Sequence, residues 1–423
     1  MKNLFALPVI LLFLLVSCAE QQVTHFTVSE PSAVNISAER LARIDNLIKE
    51  YIDSGWIAGA AGFISRDGKI VYNKAFGISD AETKRELQKD DIFRICSQTK
   101  AITSVAAMTL FEQGKFLLDD PVSKYIPEYS NPVVLDKFNE KDTTFTTIPA
   151  NREITIRDLL THTSGIEYAG IGTPVMRAIY AKYDIPGGFG SSGIKIGDKM
   201  RTLGKLPLMH QPGEKFTYGL NVDVLGYLIE IWSGETLDQY FRKHIFEPLG
   251  MNDTYFYIPE SKAGRLVKVV MEDGKGKLIN LTNPSMVDYP LLTDGSYYSG
   301  GAGLSSTIQD YAVFLQMMLN GGEYNGVRIL APRTVELMTS NQIGDINVGN
   351  DKFGLGFEVV TERGQAQIGL SEGSYFWGGY YGTRYWADPE KKIVGLLFLN
   401  QAAFSHSEIL SKFQVLVYQT IMD

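Results

Sequence analysis

The sequence predicts a mixed α/β fold in which an antiparallel sheet is flanked by helices and an all-α lobe is inserted between its halves. Three observations predict it. Strand-like apolar runs stand near both ends of the chain, at 61–76 and 355–400. Helix-opening signals punctuate the stretch between them. A strongly apolar helix pattern begins just after residue 97, where the first set of strands has ended. An α/β lobe over about 37–96 and 300–423 is therefore expected, with a helical lobe over about 97–299. The cleft between such lobes is the default place for a ligand.

Each element can be justified in order. Met1-Lys2-Asn3 is a short positive start, and Leu4 to Val16 is an apolar run of 13 residues. A spanning helix needs roughly 20 residues, so the run fits a secretory leader better than a membrane anchor. It ends in Leu15-Val16-Ser17-Cys18, which resembles the bacterial lipobox; the resemblance implies acylation of Cys18 and a lipid-anchored envelope protein. Ala19 follows where the inner-membrane retention signal of enteric bacteria carries Asp, which points the expectation to the outer membrane. Residues 18–36 are aperiodic and polar and are expected to form a tether. Ser37 then caps an amphipathic helix with Leu41, Ile44, Leu47, Ile48, Tyr51 and Ile52 on one face, stopped by Gly55. Ala61–Ser65 and Lys69–Phe76 read as strands joined by a hairpin at Arg66-Asp67-Gly68.

Ile102 to Phe111 is apolar nearly all round, as a buried helix is, and stops at Gly114. Thr155-Ile156-Arg157-Asp158, Thr236-Leu237-Asp238-Gln239 and Thr307-Ile308-Gln309-Asp310 have the form of capping boxes. The glycine-rich stretch 186–193 is expected to be a mobile loop and a candidate lid. Leu355–Val360, Tyr375–Ala387 and Ile393–Asn400 read as strands, the last two linked by Asp388-Pro389-Glu390-Lys391, and Ser407–Ile421 as a closing helix.

A net charge of −8 with no Lys/Arg run gives no basic surface for nucleic acid. The five histidines show no metal-ligand spacing, and no Gly-x-Ser-x-Gly elbow occurs, so neither a metal or other cofactor nor the α/β-hydrolase arrangement is called for. Cys96 and Cys18 are the only cysteines, which leaves no intrachain disulfide once Cys18 is lipidated. Cys96 reads as packing.

The chemistry centres on Ser97-Gln98-Thr99-Lys100. If Ser97 opens the buried helix, Lys100 shares its face, and a desolvated lysine can help take the serine proton. The helix start also offers backbone N–H groups to an oxyanion. The same spacing recurs at Ser192 and Lys195 in a glycine-rich segment that opens a helix poorly. Spacing alone leaves Ser97 as either a nucleophile or an N-cap.

The segment Phe93 to Met108 resembles the nucleophile region of the β-lactamase-related serine hydrolases, which include class C β-lactamases, D-alanyl-D-alanine peptidases and family VIII carboxylesterases. The resemblance runs over roughly 38–420 and is carried further by four motifs. These are Leu118-Asp119-Asp120-Pro121-Val122, Leu160-Thr161-His162-Thr163-Ser164-Gly165, Gln211-Pro212-Gly213 and Gly300 to Ser306. It implies the β-lactamase and penicillin-binding-protein fold, with Ser97 as nucleophile and Lys100 as its partner. The family's tyrosine base matches Tyr218 in Tyr218-Gly219-Leu220-Asn221-Val222-Asp223-Val224-Leu225-Gly226, whereas Tyr129-Ser130-Asn131 stands too early in the motif order. Gly219 and Leu220 depart from the family's Ser and Asn, and Asn221 is the amide left for substrate binding. The third family motif, Lys-Thr-Gly, is replaced by Trp377-Gly378-Gly379, a form similar to the family VIII esterases. The resemblance then implies an oxyanion hole from the backbone N–H groups of Ser97 and Tyr380. The expected activity is cleavage of a small neutral acyl ester, with a D-alanyl peptidase or β-lactamase, or a substrate-binding pseudoenzyme, as the alternatives.

Overall fold

The computed structural model describes residues 25–403 and 405–423. The apolar leader, Cys18 and residues 19–24 of the expected tether lie outside them. The elements that build the site are, in chain order, β1 (Thr27–Val28), α1 (Ala38–Asp53), β2 (Gly59–Arg66), β3 (Lys69–Gly77), α2 (Thr99–Glu112) and α3 (Asn221–Ser233). They continue with α4 (Ile308–Leu319), β4 (Lys352–Phe353), β5 (Glu358–Val359), β6 (Tyr375–Gly379), β7 (Thr383–Asp388), β8 (Ile393–Phe398) and α5 (Ile409–Tyr418). No helix among the described residues is long and apolar enough to cross a membrane.

The eight strands form one sheet in the order β1-β3-β2-β8-β7-β6-β5-β4. β1 runs parallel to β3, and every other pairing in that sheet is antiparallel. The two halves of the sequence meet where β2 pairs with β8, Phe63 opposite Leu396 and Ile64 opposite Gly395. Period-two alternation sends neighbouring side chains to opposite faces. Ile64 and Leu397 pack with Ile44 and Ile48 of α1 and Phe413 and Val417 of α5. Phe63, Leu396 and Phe398 join Tyr311 and Phe314 of α4 in the main core, which extends into the inserted lobe. The β2–β3 turn is the two-residue Asp67-Gly68, both at positive φ, which matches the strand twist.

Three expectations are corrected. The tether is not free to residue 36. Phe26 packs 5.3 Å from the Phe63 ring and 5.8 Å from Tyr324, and Val34 and Ile36 are buried. A few apolar anchors in a polar stretch suffice to dock it. The run Tyr375–Ala387 is not one strand but β6 and β7, folded at Tyr380–Gly382 with Gly382 at φ 75°. The inserted lobe is mainly helical, yet carries a hairpin of Val133–Asn139 with Thr144–Pro149. A further strand, Val270–Glu272, pairs with Gln401–Ala402 and ties that lobe to the C-terminal part.

Candidate active site

Ser97 sits in a short 3-10 turn, Cys96–Gln98, that runs into α2. It does not cap the helix: Gln98 holds that position, without a side-chain cap bond. The turn is forced by Cys96 at φ 45°, a left-handed conformation that costs a non-glycine residue about 1–3 kcal/mol. What holds it is the closing strand. β6 lies against this turn, and a Cβ on Gly379 would overlap the Ile95 carbonyl oxygen. Two adjacent glycines thus let the strand reach the nucleophile's backbone. The same approach brings Tyr380 to the cavity that Ser97 lines. Early in a helical turn a backbone N–H has no intrahelical acceptor, so the Ser97 N–H is available to a ligand oxygen.

Lys100 is 3% exposed. Its Nζ donates to Ser97 Oγ at 3.3 Å, to the Tyr168 hydroxyl at 2.7 Å and to the Gly301 carbonyl at 2.7 Å. The segment 300–304 forms the floor of this arrangement. Gly300 O accepts from Thr103 Oγ1, and Leu304 N donates to Thr99 Oγ1, so α2 is fastened to it at three points. Its glycines are sterically required: a Cβ on Gly301 would overlap Asp223 Oδ2 and stand 3.1 Å from the Tyr168 hydroxyl.

Tyr168 is the residue that sequence reading missed. Its hydroxyl, not that of Tyr218, is hydrogen-bonded to Lys100, and it lines the cavity beside Ser97. Burial holds it firmly as a phenol, its pKa raised well above 10. Its position three residues after Leu160–Gly165 was the available signal, but it lies beyond the residues of that motif. Tyr218 approaches differently. Lys100 Nζ lies 4.6 Å from its ring centroid, and its hydroxyl receives a long bond of 3.5 Å from Trp377 Nε1. Trp377 therefore stands on Tyr218, with ring centroids 5.5 Å apart, rather than lining the cavity. Gly378 lies beside it in β6, paired with Arg384.

Asn221 does not face the cavity. It is fully buried, with Nδ2 donating to His162 Nδ1 (3.0 Å) and to Ile166 O (3.3 Å), and Oδ1 accepting from Ser164 Oγ. An amide spent this way has no atom left for substrate, so the expected binding role is replaced by a structural one. His162 accepts through Nδ1 from Asn221 and from Gly219 N, which places its proton on Nε2. Burial drives its pKa well below 6.5, and the neutral ring packs 4.9 Å from Tyr218. Tyr129 donates to Met200 O and does not line the cavity, consistent with its exclusion as the base. Burial pushes the Cys96 thiol up to about 12, too high for a nucleophile.

The cavity has a volume of about 320 Å³. Cys96, Ser97, Tyr168, Ile171, Phe189, Met286, Ala302 and Tyr380 supply its side chains, and no charged residue among those described lines it. Phe189, from the glycine-rich loop, stacks on Tyr289 at 5.1 Å and carries that loop over the cavity. Buried Arg94 donates to Val287 O, next to the lining residue Met286, and to Val267 O.

A family model described as Beta-lactamase matches residues 44–417. The chain is 34% identical to Protein Rv1367c of Mycobacterium tuberculosis over 84% of this chain and 88% of that one. It is 28% identical to Esterase EstB of Burkholderia gladioli, covering 88% and 94% of the two chains. Among solved structures, that of EstCE1, described as a hydrolase with promiscuous acyltransferase activity, superposes with a TM-score of 0.74 at 27% identity, over 90% of this chain and 98% of that one.

Proposed function

The chain belongs to the β-lactamase family of serine hydrolases, and from that premise we propose that it is an esterase that cleaves small neutral acyl esters through an acyl-enzyme on Ser97. The observation that carries the reading is the bond from Lys100 Nζ to Ser97 Oγ at the edge of a cavity without charged side chains. In the reactive form Lys100 is the neutral amine and accepts from the Ser97 hydroxyl across the same contact; Ser97 Oγ then attacks the ester carbonyl as its proton passes to Lys100 Nζ. The backbone N–H groups of Ser97 and Tyr380 receive the oxyanion. A tyrosine hydroxyl, Tyr168 or Tyr218, relays the proton to the departing alkoxide, and the alcohol leaves. Water then repeats the sequence on the acyl-enzyme, which releases the acid and restores Ser97.

The cavity stands at the small end of ligand sites, which run from roughly 300 to 1,000 Å³. With Trp377-Gly378 where Lys-Thr would stand, no cation from that strand meets a substrate carboxylate. A buried unpaired carboxylate is costly, so anionic substrates lose transition-state binding that a neutral ester keeps. The test compares kcat/KM for nitrophenyl butyrate, nitrocefin and a diacyl D-Ala-D-Ala peptide, each divided by its uncatalysed rate. The ester should lead, and a lead by either anion would contradict the esterase reading.

We place the enzyme on the bacterial envelope through a lipid on Cys18. Cys18→Ala should shift it from detergent extracts to the soluble fraction or leave an uncleaved precursor. A processed, membrane-bound Cys18→Ala protein would refute the anchor.

A further inference from the structure

Two groups that carry opposite charges when ionised are buried on either side of Gly301, and neither has a hydrogen-bonded ion partner among the described residues. Lys100 donates only to a serine, a tyrosine and a carbonyl. Asp223, in the first turn of α3, is 0% exposed. Its Oδ1 accepts from Ser299 Oγ at 2.7 Å, and Ser299 in turn accepts from Ala302 N. Its Oδ2 lies against Gly301 so closely that a Cβ there would overlap it, while the carbonyl of the same glycine takes the Lys100 bond. A carboxylate taken out of water without a partner is expensive, and so is an ammonium. Set on either side of one glycine, each supplies the charge the other lacks.

Resting on the Ser97 acyl-enzyme reading, we propose that Asp223 is the buried counter-charge of Lys100, a positioning residue that stabilises the ammonium formed when Ser97 gives up its proton. The role is the one a carboxylate plays behind a histidine in a Ser-His-Asp triad, here exerted across a glycine rather than through a direct bond. A neighbouring negative charge stabilises the ammonium once the serine proton has moved, and it holds Nζ in place between Ser97, Tyr168 and the Gly301 carbonyl. Gly301 is the residue that permits this, because any side chain there would push the carboxylate and α2 apart.

The charged and titratable groups that face Asp223 are Lys100 from α2, Tyr168 from the loop after Gly165, and Tyr297 beside Ser299. Burial pushes the Asp223 carboxyl up to about 6, against the Ser299 bond and the Lys100 charge, which lower it. The counter-charge is thus present at neutral pH and lost as pH falls through that value.

The experiment follows the acid limb of kcat/KM for nitrophenyl butyrate in the wild-type enzyme, Asp223→Asn and Ser299→Ala, with thermal unfolding as the check on folding. Asp223→Asn should lower the plateau about 10- to 100-fold and lose the acid limb near pH 6 that the Asp223 carboxyl gives the wild-type enzyme. Ser299→Ala removes the donor that holds the Asp223 carboxyl down, so the carboxylate is lost at higher pH and the acid limb should move up. A purely structural role predicts lower plateaus with unmoved limbs in both, and that result overturns the proposal. If Asp223→Asn does not fold, the Ser299→Ala limb decides alone. Failure of wild-type Ser97 to form an acyl-enzyme would instead overturn the underlying reading, so the two failures are distinguishable.

Discussion

At the scale of single residues, the pairing of Ser97 with Lys100 was legible from helical spacing joined to the resemblance of the segment around it, since spacing alone fits Ser192 and Lys195 equally. Tyr168 was not, because its bond to Lys100 crosses from a loop to a helix 68 positions away. Both phenols bear on Lys100, one by its hydroxyl and one by its ring face. Tyr168→Phe should therefore lower kcat/KM by roughly 10²- to 10⁴-fold, the usual range for a proton-transfer group. Tyr218→Phe should cost several orders of magnitude as well, whereas Tyr129→Phe should leave activity nearly intact. Steady-state kinetics on the three variants check this; wild-type activity in Tyr168→Phe would remove it from the relay. Asn221 shows the opposite limit of sequence reading. An amide in a motif looks like a substrate ligand until its hydrogen bonds are counted, and here all of them go to His162, Ser164 and Ile166.

At the scale of elements, two of the three capping boxes were readable because they are local; at Thr307 the side chain accepts from Asp310 N, but the Asp310 carboxylate turns to Asp253 N and Thr254 instead. Thr155 and Asp158 satisfy each other's backbone N–H groups as the pattern predicts. The sequence did not reveal that Asp158 also accepts from Arg152 and Thr163 and so pins the His162 loop. These bonds hold the Asp158 carboxyl below its ordinary value despite burial. Its stabilisation is therefore fully present above the unfolded pKa near 4 and is lost as pH falls through the folded value. Asp158→Asn should destabilise the fold by about 1–3 kcal/mol at neutral pH. Thermal unfolding against pH should show that difference shrinking in acid; a constant difference would mean the carboxylate charge is idle. Strand β6 carries the other element-scale lesson. The alternation through Tyr375–Ala387 reads as one long strand, because a three-residue turn marked only by Gly382 hardly interrupts it. That turn is what sets Tyr380 beside Ser97. Gly379→Ala, which would collide with the Ile95 carbonyl, should reduce kcat by about 10²-fold through the displaced oxyanion donor. An unaltered kcat would mean that β6 does not set the oxyanion site.

At the scale of the whole molecule, strands at both ends of the chain meet in one sheet, and the inserted lobe places Tyr168 and the Phe189 loop on the cavity beside Ser97. That much follows from where the apolar alternation begins and ends. What periodicity could not supply is docking by a few anchors, as at Phe26, or the hairpin within the helical lobe, whose strands are half exposed and only weakly patterned. The architecture brings Ser97 and Tyr168 to one cavity, with Lys100 bonded to both and set over the Tyr218 ring, and the account stands on the serine. The most direct measurement is intact-mass and peptide mapping after treatment with a fluorophosphonate ester. The account predicts a single adduct on Ser97, absent from Ser97→Ala, which should also lose turnover while unfolding at the same temperature. Labelling at another residue, or turnover persisting in Ser97→Ala, would contradict it.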